Sequence, residues 1–309
     1  MKQVQTGGLI VAAILVTLLL QGTVGLLPVG ALAAFLVPLP AAYIAMRFGL
    51  LAGCLVVAGT CIAAFAFISQ VAAVGCLVQF GAPALLLALL LRRGVSWTRA
   101  VTWSLALLLG IGSLSLYGLA AQQQMGVTTL VENYIQAEIE TALTLAKDME
   151  LPAVQAAQFE KTVRNTGDLL LQVYPAAAMV GYGLLLLTTL FGLVLAARSR
   201  YSIPGIPFDQ WKIPELWIWG LILAGIGVLL ADGILAMVAL NLLVVMLALY
   251  FLQGLAIVRY FFRTRRVSPL LRTLGYILLA TLNPLPALVA GIGVFDLWID
   301  FRKPRKAKD

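Results

Sequence analysis

The chemistry open to this chain is limited first by what it lacks. No histidine occurs among its 309 residues. That removes the usual general base near neutral pH, the nucleophilic triads built on histidine, and the commonest metal ligand. Carboxylates that could stand in are few, 13 Asp and Glu in all, and none lies in the middle of an apolar run. Asp232 precedes Gly233 in what reads as a turn. Asp296 and Asp300 flank Trp298 ahead of Arg302, which suggests an ion pair at a membrane interface. With no file of acids through the apolar segments, proton-coupled pumping is disfavoured. There is no phosphate-cradling glycine loop and no nucleophile elbow. Pro286-Ala287-Leu288 matches a protease tripeptide, but Pro83-Ala84-Leu85 repeats it and no Gly-x-Gly-Asp accompanies it. No catalytic residue, cofactor or metal is expected, and the chain does not read as an enzyme.

Neutral polar groups inside apolar runs are more frequent. Asn241, Tyr250 and Gln253 share one long run, and Asn283 opens the sequence Asn-Pro-Leu-Pro at the centre of the last one. Such groups suit an uncharged or amphipathic small ligand. Asn283, Asn241, Gln253 and Tyr250 are therefore the candidate cavity contacts, with Gln21, Gln79, Gln172 and Tyr174 as lesser ones. The competing role is hydrogen bonding between helices, about 0.6 kcal/mol per contact. Cys54, Cys61 and Cys76 are too few for a disulfide framework and read as small packing residues.

These residues must be held by membrane helices. The chain is 62% hydrophobic and 11% charged, with a mean hydropathy of +1.01. The expected architecture is all-α: a polytopic bundle of about eight transmembrane helices plus a proline-broken C-terminal hairpin. The runs lie at 7–27, 29–46, 50–68, 71–91, 101–121, 169–197, 216–231 and 233–262, then the broken segment 270–299. The first run reads as an uncleaved span rather than a signal peptide. Three parts are expected: an N-terminal bundle at 1–121, an amphipathic helical loop at 122–168, and a C-terminal bundle with a basic tail at 169–309.

Charge sets orientation. Lys2, Arg47, Arg92, Arg93, Arg99, Arg198, Arg200, Lys212 and the Arg259–Arg272 group all fall on one side, the cytoplasm of a bacterial inner membrane. The loop 122–168 then lies outside. It carries seven of the 13 acids and three of the 21 bases, and Val127, Leu130, Val131, Tyr134, Ile135, Ile139, Ala142, Ala146 and Met149 repeat at helical spacing. Pro152 restarts a second helix, giving a hairpin that serves either as a lid or as a structural cap. The proline-rich stretch 202–214 reads as a surface loop, with Trp211, Trp217 and Trp219 in the interface belt. The net charge of +8 thus marks membrane orientation, and nucleic acid is not an expected partner.

The last segment needs its own account. Arg263, Arg265 and Arg266 precede it, while Arg302, Lys303, Arg305, Lys306 and Lys308 follow it. Both groups favour the cytoplasm, so the chain between them turns back. Proline removes a donor and crowds the preceding turn. Asn283-Pro284 is the expected break, leaving two short halves and a cytoplasmic C-terminus.

The stretches VPLPAAYIAMRFGLLAGCLVVAG at 37–59, FGAPALLLALLLRRGVSWTRAV at 80–101 and YFLQGLAIVRYFFRTRRVSPLLRTLGYILLATLNPLPALVAGIGVFDLWIDFRK at 250–303 resemble the YybS-like family of bacterial membrane proteins. VYPAAAMV at 173–180 fits the same pattern. That resemblance covers most of the chain and implies no particular activity. More remotely, the first half is similar to the substrate-binding S component of energy-coupling-factor transporters. This implies a compact helical bundle with an outward-facing ligand site and an energising partner. The Ala-x-x-x-Ala face that such components present on their first helix occurs here only at Ala41–Ala45, in the second span, beside Gly49 and Gly53 in Gly-x-x-x-Gly spacing.

The leading expectation is a non-catalytic small-molecule-binding transporter subunit, S-component-like, working with an energising module. The alternative is a membrane scaffold or assembly factor whose ligands are other membrane proteins.

Overall fold

The computed structural model describes residues 2–26, 30–148, 152–197 and 200–302. Met149, Glu150, Arg198 and the basic tail Lys303, Arg305, Lys306 and Lys308 lie outside the described residues. Within them all regular structure is helical: α1 (Lys2–Leu26), α2 (Gly30–Ala34), α3 (Leu39–Phe48), α4 (Leu50–Phe67), α5 (Gln70–Cys76), α6 (Ala82–Arg92), α7 (Trp97–Gln122), α8 (Val127–Asp148), α9 (Ala153–Ala197), α10 (Ile218–Leu230), α11 (Gly233–Thr264), α12 (Pro269–Thr281) and α13 (Leu285–Ile299). α5 and α6 join through a π-helical turn, Leu77–Gly81.

Six helical segments are long and apolar enough to cross a membrane, and the bent pair α12–α13 would make a seventh. About eight were expected, and the two shortfalls have local causes. The run 29–46 is interrupted by turns at 35–38, because Pro38 and Pro40 cannot donate to a preceding turn. The run 216–231 yields only the 13 residues of α10, bounded by Pro214 with its 3₁₀ turn and by extended Ala231. That is roughly 20 Å of helix against a ~30 Å hydrocarbon core.

The chain forms two compact units. One comprises residues 1–115 and 181–205, the other 116–180 and 206–309. The far end of α9 thus returns to the N-terminal unit, a pairing that no local pattern announces.

In the first unit α3 and α4 pack through small residues. A Cβ on Gly53 would stand 2.5 Å from the Cβ of Ala45, and Ala41 and Ala45 are buried. The Ala41–Ala45 face is therefore used inside the unit. Gly49 joins the two helices at φ 111°, where an L side chain would be strained. Arg92 of α6 donates from one Nη to the carbonyls of Ala45 and Met46, at 3.2 and 2.8 Å, and so caps the C-terminus of α3.

In the second unit α10 lies antiparallel on α11, with Gly227 against Ala239 and Gly220 against Met246. α13 is also antiparallel to α11. Gly254 faces the Val289 carbonyl and Gly293 faces the Tyr250 carbonyl, so closely that any Cβ would collide with backbone. The helical hairpin is present: α8 sets Ile139 against Gly167 of α9, with Ile139 and Ala146 buried and Tyr134 exposed. Partial desolvation of the Tyr134 phenol within this otherwise exposed side chain, then the nearby Glu138 carboxylate, raise its pKa above the ordinary value. α9 begins directly after Pro152 and runs unbroken for 45 residues, so the hairpin's second arm is continuous with a membrane segment.

The last segment breaks at the expected place, with a cis peptide between Asn283 and Pro284. Its halves have 13 and 15 residues and meet at 98°. It is neither a straight span nor an antiparallel hairpin. α12 instead turns across the end of α11, where Phe262 and Tyr276 meet edge to face at 5.4 Å.

Gly254→Ala and Gly293→Ala should each lower unfolding stability in detergent by about 1–3 kcal/mol or more through overpacking. Gly291→Ala, whose Cβ meets nothing within 4 Å, should leave the melting temperature unchanged.

Candidate functional site

The densest polar cluster lies where α11, α13 and the loop between α9 and α10 converge. Gln253 sits eleven residues before the end of α11, roughly 16 Å inside it. Its side chain is buried and fully used. Its Oε1 accepts the backbone N–H of Ile213 at 2.9 Å. Its Nε2 donates to the Gly293 carbonyl at 3.0 Å and to Asp296 at 3.2 Å. Asp296 is 1% exposed. Its carboxylate also takes a 2.5 Å ion pair from Arg302, the backbone N–H of Phe301 at 3.1 Å, and a longer approach by Lys212 at 3.9 Å.

Arg302 has a second task. Its Nη1 donates to the carbonyls of Asp209 and Trp211 at 3.1 and 2.8 Å. Arg263 pairs with buried Asp209 at 2.7 Å, and Lys212 pairs with Asp300 at 2.6 Å. The expected Asp296–Arg302 pair thus exists, but Asp296 is buried against the body of α11 rather than interfacial. The stretch 202–214 departs from a surface loop in the same way: Asp209 and Ile213 are buried. Its prolines keep the backbone extended and short of internal partners, so side chains of α11 and the post-α13 turn supply them. Sequence reasoning missed Asp209 as a member. The available signal was a lone acid in an otherwise apolar and basic loop.

The four residues expected to line a cavity are not gathered round one. Twelve residues of α11 separate Asn241 from Gln253, about 18 Å. Asn283 is exposed at the α12–α13 bend. Tyr250 is 1% exposed and its hydroxyl has no hydrogen-bond partner. Asn241 instead serves α9. Pro175 lies inside that helix and disturbs its ladder. Asn241 Oδ1 accepts the Ala176 N–H at 2.9 Å, and Nδ2 donates to the Gln172 carbonyl at 2.8 Å. A regular helix would join those two groups to each other. The side-chain amide bridges the gap beside the proline, as neighbouring helices must where the surroundings hold no water.

The first unit holds a different arrangement. Two interrupted helices face each other there. One interruption is the α2–α3 break at Val37 and Pro38. The other is the π turn, where the Ala82 N–H reaches back five residues to the Leu77 carbonyl. Pro83 explains that widening, since it cannot donate to the Gln79 carbonyl four residues earlier. Between them lies a partly enclosed space with room for about one water molecule. Thr17 of α1, Thr60 of α4 and Cys76 of α5 border it. Gln21 donates to the Cys76 sulfur at 2.9 Å, and the thiol reaches the Thr60 hydroxyl at 3.9 Å. Both threonine hydroxyls are also bonded to carbonyls of their own helices. Gln21 is thereby placed at the edge of this cluster, whereas Gln79 is exposed.

The pattern of spans agrees with a comparison against known families. Residues 13–297 match the family described as predicted membrane protein, DUF2232. The chain belongs to that family. No curated protein and no solved structure matches it. The family description names a location in the membrane and no activity, so residue roles rest on the geometry above.

Two outcomes follow from that geometry. Arg302→Met leaves Asp296 buried without its cation and should cost about 3–5 kcal/mol of unfolding free energy in detergent, most of it recovered by adding Asp296→Leu. Asn241→Ala should cost about 1–3 kcal/mol. In a Pro175→Ala background the same change should cost less, because the helix then restores its own bond; a double-mutant cycle measures the difference.

Proposed function

We propose that this protein is a non-catalytic solute-binding subunit of a membrane transporter, working from a bacterial inner membrane. Both termini are then cytoplasmic and the α8–α9 hairpin is outside. One observation carries the reading: two interrupted helices meet across a small space in the first unit, bordered by Thr17, Thr60 and Cys76, whose open surface is apolar. Broken membrane helices are tolerated where backbone lines a cavity, and π turns recur at functional sites. The space is too small for a solute as it stands. Binding therefore requires the α2–α3 break and the π turn to separate, which irregular segments allow more readily than regular ones. Thr17, Gln21 and Thr60 would supply hydroxyl and amide contacts to a neutral or amphipathic solute. The remote resemblance of the first half of the chain to S components points the same way, because nearly all of that half falls within this unit. An energising partner would need a face other than Ala41–Ala45, which packs against Gly53.

The hairpin favours a second reading, a scaffold or assembly factor. α8 leaves Tyr134 and Leu145 exposed among its acids, as does Val154 on α9, and exposed apolar side chains amid charge suit docking to another membrane or envelope protein.

Native mass spectrometry of protein extracted gently from its own host separates the two. A copurified small molecule, lost from a Thr17→Val/Thr60→Val variant that melts as the parent does, is the expected result. A chain carrying only other proteins, released by deleting the hairpin, would replace the transporter reading with the scaffold.

A further inference from the structure

The first unit contains no Asp or Glu at all, and the earliest acid in the chain is Glu132. Its arginines, at positions 47, 92, 93, 99, 198 and 200, therefore have no carboxylate within the unit. Arg92 is already employed on the carbonyls that end α3. Two others are brought together. Arg47, in the last turn of α3, donates to the Tyr43 hydroxyl at 2.9 Å. Arg200, just after α9, donates to the same oxygen at 2.9 Å. The two charged nitrogens are thus no more than twice 2.9 Å apart. Like charges held so close repel unless an anion joins them.

Among the described residues of the unit no side chain supplies that anion. Tyr201 packs edge-on to Tyr43, with ring centroids 6.4 Å apart, and donates its own hydroxyl to the Leu193 carbonyl at 2.8 Å. Burial, with the neighbouring Tyr43, pushes the Tyr201 phenol up to about 12 against the opposing pull of Arg200. It stays neutral near pH 7 and offsets neither guanidinium. Arg47 is steadied further by lying 4.8 Å from the Phe48 ring centroid. Both guanidiniums are exposed, so an incoming ligand can reach them. Among the described residues Tyr43 is the hydrogen-bond partner of both guanidiniums, and guanidinium N–H groups form paired, charge-assisted hydrogen bonds with phosphate oxygens.

We infer that Tyr43, Arg47 and Arg200 form a binding site for a phosphate group. The phosphate comes either from the headgroup of an anionic phospholipid or from free phosphate. The site is distinct from the Thr17–Thr60 space and stands or falls independently of the transport reading.

The test uses the full chain in a neutral detergent. Melting temperature and native mass spectra are followed against phosphatidylglycerol, phosphatidylcholine, inorganic phosphate, and sodium chloride at matched ionic strength. Stabilisation and retention should be greater for phosphatidylglycerol than for phosphatidylcholine if the source is a lipid. If the source is free phosphate, inorganic phosphate should outperform chloride. In either case Arg47→Gln/Arg200→Gln should weaken that binding about tenfold or more, and Tyr43→Phe, which removes the shared acceptor, should weaken it less. Without added anion the double variant should melt no lower than the parent, because it removes a repulsion and no packing. Equal responses to both lipids together with no phosphate effect beyond chloride would overturn the site. So would unchanged binding by the double variant.

Discussion

Backbone polar groups have no water to turn to in an apolar medium, so every break in a helix must be answered by another part of the chain. That constraint accounts for the best-placed polar side chains here. Asn241 answers the break beside Pro175. Gln253 holds the N–H of Ile213 and the carbonyl of Gly293, tying the loop and α13 to α11. Arg92 covers the last carbonyls of α3, and Arg302 covers two carbonyls of the loop while neutralising Asp296. In each case proline or a chain turn creates the vacancy and a long or amide side chain from a distant segment fills it.

The same constraint bears on function. A polar residue inside an apolar span invites a ligand reading, yet Asn241 is engaged by backbone groups and Gln253 by backbone groups and the Asp296 carboxylate. What remains open for function lies elsewhere. In the first unit two helix irregularities meet at a small space that Thr17 and Thr60 border, without being stapled by charge. In the hairpin, acids and exposed apolar residues share one projection of the chain. These features support the solute-binding and docking readings respectively.

Charge is divided as unevenly as polarity. The first unit has bases and no acids, while every ion pair among the described residues, including the mostly buried Asp296–Arg302 and the half-exposed Arg263–Asp209, belongs to the second. In the second unit oppositely charged partners close a loop onto helices. In the first, the convergence of Arg47 and Arg200 on one phenol oxygen is left without a counter-charge.

Sequence alone determined the class of the protein and the position of its breaks. Hydrophobic runs long enough for a bilayer act through composition, and proline acts on its own turn, so α1, α4, α7, α11, the hairpin and the Asn283-Pro284 break were all legible from local pattern. Two short runs were overread as spans because hydropathy does not register that Pro38 or Pro214 shortens a helix below membrane thickness. Tertiary structure alone decided what the polar residues do. Asn241 meets a backbone N–H 65 positions away, and Gln253 meets two partners each 40 positions away. A lone amide in an apolar run has many conceivable partners, and only the packing of α9, α11 and α13 selects one. The burial of Asp296, the return of α9 to the first unit and the meeting of Arg47 with Arg200 are of the same kind: long-range contacts set by which helices lie side by side, for which no local periodicity exists.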